Sequence, residues 1–167
     1  HAPEHHSESP EAMFAHIPGI RVVYPSSPRR AYGMLLAAIR DPDPVVFLEP
    51  TRLYRLFKEE VADNGEARAL DVCHTAREGS DVTLVTWGPM VADTLAAADD
   101  LAEQGVAAEV IDVATLKPLD MDSILGSVAK TGRCVVVTEA PRTASYASEI
   151  AAGLAEEGLL NLLAPLQ

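Results

Sequence analysis

Residues 81–113 read DVTLVTWGPMVADTLAAADDLAEQGVAAEVIDV, a complete strand–helix–strand unit. Residues 82–86 are an apolar, β-branched run, the composition of a strand. Gly88-Pro89 opens a helix with Val91, Leu95, Ala98 and Leu101/Ala102 three or four positions apart, on one face. Gly105 stops it, because glycine accepts the left-handed backbone that ends helices. Residues 106–113 contain the next strand. The alternation continues toward the C-terminus. Met121, Ile124, Leu125 and Val128 mark a second amphipathic helix, with Lys130 in its last turn and Gly132 after it. Residues 133–138 form a third strand. Ser145 opens a third helix with Tyr146, Ile150 and Leu154 on one stripe. This β-α-β-α-β-α order predicts a parallel sheet with helices on both faces.

The N-terminal side has a related pattern. Residues 1–8 form a polar loop. Ser9 is placed to cap a short helix with Pro10 first, where a missing N–H costs nothing. Pro18-Gly19 ends that helix and residues 20–24 form a short strand. Ser27-Pro28 starts a longer helix with Ala31, Met34, Leu35, Ala38 and Ile39 on its apolar face. Asp41-Pro42-Asp43-Pro44 breaks it. Residues 45–48, VVFL, are continuously apolar, as a buried parallel strand is. The stretch FKEEVADNGEARAL that follows is acidic and aperiodic, with Asn64-Gly65 as a turn signal, and reads as a linker. The expected division is 1–56, a linker over 57–71, and 72–167.

Composition excludes several classes. A net charge of −12 argues against nucleic acid, whose phosphates need clustered Lys and Arg. No apolar run approaches the ~20 residues of a membrane-spanning helix. Cys73 and Cys134 are far apart and form no CxxC pair, so a reducing, intracellular setting is expected. Dinucleotide, P-loop and nucleophile-elbow signatures are all missing, so topology alone assigns no cofactor to the second half.

His1, His5 and His6, with Glu4 and Glu8, crowd the first eight positions. Three readings stand for them: a solvated polar loop, a metal site, or an acid–base histidine. Adjacent loop histidines suit few metal geometries and no second ligand cluster follows, which favours the plain loop. A loop histidine is nonetheless a sensible proton donor, since its pKa lies near neutrality.

Four motifs in order carry a resemblance: His6-Ser7-Glu8-Ser9, Pro18-Gly19-Ile20-Arg21-Val22-Val23, Ala38-Ile39-Arg40-Asp41, and Leu48-Glu49 followed by Leu53-Tyr54-Arg55. With EGSDVTLVTWGPMV, EVIDVATLKPLD and SVAKTGRCVVVTEAPRTASYASEIAA, the chain resembles, over residues 4–166, the β subunit of thiamin-diphosphate-dependent 2-oxo acid dehydrogenase E1 components. The stretches EPTRLYRLFKEEV, GSDVTLVTWG and LLNLLAP are most similar to the branched-chain enzyme, with pyruvate and acetoin dehydrogenases sharing much of the pattern. The implied fold is α/β: the later part of a pyrimidine-type thiamin-binding domain, then a transketolase C-terminal-like domain with a mainly parallel sheet.

The resemblance implies specific roles. His6, directly before Ser7, corresponds to the active-site histidine that assists acyl transfer to the lipoyl group of E2. His5 is then a loop residue, His16 a packing or interface residue, and His74 structural. Ala38, Ile39, Asp41 and Asp43 match a potassium-binding loop. Their alternative reading is a plain helix stop with an Asp-Pro turn. Implied partners are an E1 α subunit carrying the magnesium and the diphosphate of thiamin, a second β subunit, and the lipoyl and peripheral subunit-binding domains of E2. The implied assembly is a heterotetramer of two α and two β subunits, cytoplasmic in a bacterium and in the mitochondrial matrix in a eukaryote. Two residues depart from the family: Ala114 stands where Arg is common, and Asp43 where Asn is common. The stretch carrying the thiamin-activating glutamate lies outside this chain, and the family continues beyond Pro165. The expectation is a fragment that is inactive alone, with a binding-only assembly module as the alternative.

Overall fold

The computed structural model describes residues 8–167. Its elements are α1 (Glu11–Ala15), β1 (Arg21–Val23), α2 (Pro28–Arg40), β2 (Val45–Phe47), a 3₁₀ turn (Thr51–Arg55), β3 (His74–Arg77), β4 (Val82–Thr86), α3 (Met90–Glu103), β5 (Ala108–Asp112), β6 (Thr115–Lys117), α4 (Met121–Thr131), β7 (Cys134–Val137), α5 (Ala147–Glu157) and a closing 3₁₀ turn (Leu159–Asn161). Two sheets result, ordered β2-β1-β6 and β3-β5-β4-β7.

The larger sheet follows the sequence pattern. β4 pairs in parallel with β5 and with β7, each through a helical crossover. Val91 and Ala98 of α3, Ile124 and Val128 of α4, and Ile150 and Leu154 of α5 are buried as the helical stripes require. α4 starts where Asp120 Oδ1 accepts the Ser123 N–H at 3.1 Å, and stops at Gly132 with φ +70°. β3 was not legible in the sequence. HTAR is polar, and it pairs antiparallel to β5 as an edge strand, with a register shift between Thr75 and Arg77. Edge strands do not need an apolar pattern, so periodicity cannot find them.

The smaller sheet joins the two halves of the chain. β1 pairs in parallel with β2 and antiparallel with β6, which comes from the second half. Val22 and Val23 are fully buried in this central strand. One core cluster therefore runs through Val22, Tyr24, Val85, Trp87, Ile111, Leu116, Tyr146 and Ile150.

Several local expectations are corrected. Ser9 makes no cap on α1, whose N-cap is Pro10 with no side-chain hydrogen bond. β2 is half-buried rather than enclosed, because it lies at the edge of a three-stranded sheet. On α2 Met34 is buried, but Leu35 and Ile39 are 45% and 72% exposed; the small sheet is narrower than the apolar stripe. Residues 57–71 carry no regular element yet follow α2 closely. Glu59 Oε2 accepts the Arg29 N–H at 2.8 Å, Tyr32 Oη donates to Asp63 at 2.6 Å, and the Arg68 N–H donates to Gly33 O at 2.9 Å. The segment is a strap rather than a free tether.

Candidate functional site

α1 has five residues, too few for a stable helix in isolation. Its place is set by contacts from the second half of the chain. Glu11, its one buried residue, accepts a hydrogen bond from Trp87 Nε1 at 3.3 Å. At the other end Lys117 Nζ donates to Ala15 O at 2.6 Å and Ile17 O at 2.7 Å, satisfying carbonyls that the short helix leaves open. Trp87 stacks edge-on against Tyr146, with ring centroids 5.8 Å apart.

Along α1 runs a groove with two lobes. One, of about 720 Å³, is lined by Glu8, Ser9, Met13, Glu139 and Thr143 among others. The other, of about 540 Å³, is lined by Leu116, Lys117, Leu119, Tyr146 and Glu149. Ala12, His16, Ala144 and Ser145 line both. The opposite wall is the loop that leaves the carboxyl end of β7, where parallel sheets place ligand sites.

His6, with His1 and His5, lies outside the described residues. His16 is brought into the groove as the C-cap of α1, a placement its helix assignment did not foresee. His74 is on β3, away from the groove linings. Ala38 and Ile39 lie in the last turn of α2, with Asp41 as its C-cap. Asp41 Oδ1 accepts the Asp43 N–H at 2.9 Å, while Arg21 Nε lies 3.2 Å from Asp41 Oδ2 and 3.8 Å from Asp43 Oδ2. Arg21 also pairs with Asp71. The two side-chain carboxylates are thus engaged with a guanidinium. The oxygens of this loop outside those two carboxylates are those of its main chain.

Sequence reasoning missed a buried polar row. His74, Asp112 and Thr86 are register partners across β3, β5 and β4, so they share one face. Asp112 is fully buried; Ser26 Oγ donates to its Oδ2 at 2.5 Å, and Arg30 Nε lies 3.0 Å from the same oxygen. Asp112 Oδ1, His74 Nε2 and Thr86 Oγ1 have no partner among the described residues. Burial pushes the Asp112 carboxyl up to about 6, against the opposing pull of Arg30 and Ser26. Burial, with Arg30 and Arg68 nearby, holds His74 down at about 4. The available signal was an acid ending the apolar run of EVIDVATL.

Comparison with known proteins agrees with this architecture. A model of the transketolase pyrimidine binding domain matches residues 1–56, and one of the transketolase C-terminal domain matches residues 71–167. The chain belongs to the transketolase family. A solved transketolase-family structure, described as a split gene transketolase, inactive beta4 tetramer, superposes with a TM-score of 0.76 at 30% identity, covering 88% of this chain and 47% of that one. Among its relatives, the pyruvate dehydrogenase E1 component subunit beta of Bacillus subtilis is 46% identical over 166 residues, 99% of this chain and 51% of that subunit. The subunit of the same name from Staphylococcus epidermidis is 44% identical over the same coverage. This transketolase-family chain therefore spans about half the length of the relatives it matches.

Proposed function

We propose that this chain is the β-subunit portion of a 2-oxo acid dehydrogenase E1 component, which decarboxylates a 2-oxo acid and acylates the lipoyl group of E2. The observation that carries this reading is the 46% identity, along 99% of the chain, to a subunit named as pyruvate dehydrogenase E1 beta. Pyruvate is accordingly the favoured substrate. The branched-chain reading rests on the stretches EPTRLYRLFKEEV, GSDVTLVTWG and LLNLLAP. Turnover of pyruvate against 3-methyl-2-oxobutanoate by the full-length subunit with its α partner separates them.

The cofactor of such an enzyme is thiamin diphosphate, which supplies the carbanion-stabilising centre for decarboxylation. The described residues do not fit its diphosphate. The groove walls carry Glu8, Glu139 and Glu149, and Lys117 is engaged with α1. A diphosphate needs converging donors and positive charge, so on this reading the α subunit holds it with magnesium. The exposed Leu35, Ile39, Met13 and Ile17 support a role in subunit contact, and E2 docking belongs to the same proposal.

The role left to this chain is at the lipoyl step. When the lipoyl S–S bond opens, one sulfur takes the acyl group and the other leaves as a thiolate that needs a proton. His6 is proposed to give it. In the complete E1, His6→Ala should lower reductive acylation of a lipoyl domain by about 100-fold or more while decarboxylation with an artificial electron acceptor persists. Acylation at the wild-type rate would remove His6 from the mechanism.

The loop at Ala38, Ile39, Asp41 and Asp43 is proposed to hold potassium through main-chain oxygens. Potassium should then raise the melting temperature of full-length β subunit more than equal sodium does. Identical curves in the two salts would leave only the helix stop.

A further inference from the structure

We infer that the carboxyl ends of β4 and β5, with the start of β3 beside them, form an ordered-water site whose ligands are Asp112 Oδ1, Thr86 Oγ1 and His74 Nε2. Three of the six buried side-chain polar atoms without a partner among the described residues fall in this one register row. Scattered orphans would each need a separate account, whereas three on one face need a single shared partner. Asp112 and Thr86 have no solvent exposure, and His74 Nε2 is likewise out of solvent. Such atoms are costly to leave unbonded, so folded proteins pair them with protein groups or with ordered water.

Charge selects the occupant. Arg30 Nε lies 3.0 Å from Asp112 Oδ2, and Arg30 and Arg68 both act on His74, with Asp120 opposing them more weakly. That positive charge disfavours a cation, and no group of three or more His, Cys, Asp or Glu able to hold a metal ion occurs among the described residues. The Asp112 carboxylate disfavours an anion. What remains is a small neutral molecule that both donates and accepts, which is water. The protonation states match it. At pH 7 Asp112, titrating at about 6, is mainly ionised and can only accept. His74, held at about 4, is neutral, and with its proton on Nδ1 it leaves Nε2 to accept. The water then donates to Asp112 Oδ1 and His74 Nε2 and accepts from the Thr86 hydroxyl, about the three bonds usual for a buried water. Ser26 and Arg30 hold the other oxygen of Asp112. The site thus ties three strands of the larger sheet to the first half of the chain.

The test needs no assumption about the lipoyl step. A crystal structure of full-length β subunit with its α partner, at a resolution that orders water, should show one peak within about 3.2 Å of all three atoms. The peak should remain in Thr86→Ser, which keeps the hydroxyl. Urea unfolding of full-length β subunit gives an independent readout. His74 and Thr86 stand two strands apart, roughly 10 Å, a separation at which substitutions without a shared partner add. Thr86→Val and His74→Phe each remove one bond of the same water. The folding constant of the double variant should therefore exceed the product expected from the single variants by about 5-fold or more. Additivity within about 2-fold overturns the shared site. So does a missing peak, a peak touching Asp112 alone, a direct His74–Asp112 hydrogen bond, or a peak at the ~2.4 Å of a metal–oxygen contact. Should His74→Phe fail to fold, the peak in the wild type and in Thr86→Ser decides alone.

Discussion

Replacing Arg30 by Met should cost about 3–5 kcal/mol of folding stability near neutral pH. Arg30 Nε lies 3.0 Å from Asp112 Oδ2, and the Asp112 side chain has no solvent exposure. Removing the guanidinium leaves Ser26 as the one hydrogen-bond partner, among the described residues, of a buried carboxylate. Breaking one side of such a pair exposes the full desolvation cost of the other. Urea unfolding of full-length β subunit measures this from the midpoint, provided the slope is unchanged. A loss below about 1 kcal/mol, the level of an exposed pair, would mean that Asp112 is not charged in the folded protein.

The same variant has a pH signature. Asp112 in the folded chain titrates at about 6, above its ordinary value of 3.8. Between those values the folded state holds a proton that the unfolded state has released. The stability this provides is full below pH 3.8 and lost as pH rises through about 6. His74 works oppositely. It is held at about 4, below its ordinary 6.5, so its contribution is full above 6.5 and lost as pH falls toward 4. The two slopes oppose each other between about pH 4 and 6. Arg30 lowers both groups, so Arg30→Met raises both. The deficit of the variant should therefore shrink on going from pH 7 to pH 5. A deficit constant with pH would show that neither group feels Arg30.

Gly79→Ala should be comparably damaging, at about 3 kcal/mol or more. A methyl group at that position would lie 2.2 Å from the Ala108 carbonyl carbon and 2.3 Å from the Glu109 nitrogen. Those are main-chain atoms of β5, the strand paired with both β3 and β4. The turn cannot retreat cheaply, because Ser80 N–H and Asp81 N–H both donate to Ala107 O, at 3.0 and 2.9 Å. Gly126, in the middle of α4, is the contrast. Nothing lies within 4 Å of a methyl group there, so Gly126→Ala should stabilise by about 0.5–1 kcal/mol. Melting curves of the two variants should move in opposite directions. A Gly79→Ala protein that melts with the wild type would mean that the approach of the turn to β5 is looser than described.

Much of this molecule was legible in the sequence wherever one element's own pattern is enough. The stripes Val91/Ala98, Ile124/Val128 and Ile150/Leu154 gave α3, α4 and α5, because a helix must bury the face its period creates. Ser27 fixed the start of α2, with its Oγ accepting the Arg30 N–H at 3.3 Å. Motif order pointed to the two transketolase domains, since spacing along the chain survives where single motifs mean little. Tertiary structure alone decided the rest. β3 and β6 are short edge pieces whose partners lie far away in sequence. Leu35 and Ile39 carry the right period but meet no sheet. Asp112 and Glu11 look like ordinary surface acids until Ser26, Arg30 and Trp87 close over them. What a side chain costs or does depends on neighbours brought from the other half of the chain, and a local pattern holds no record of them.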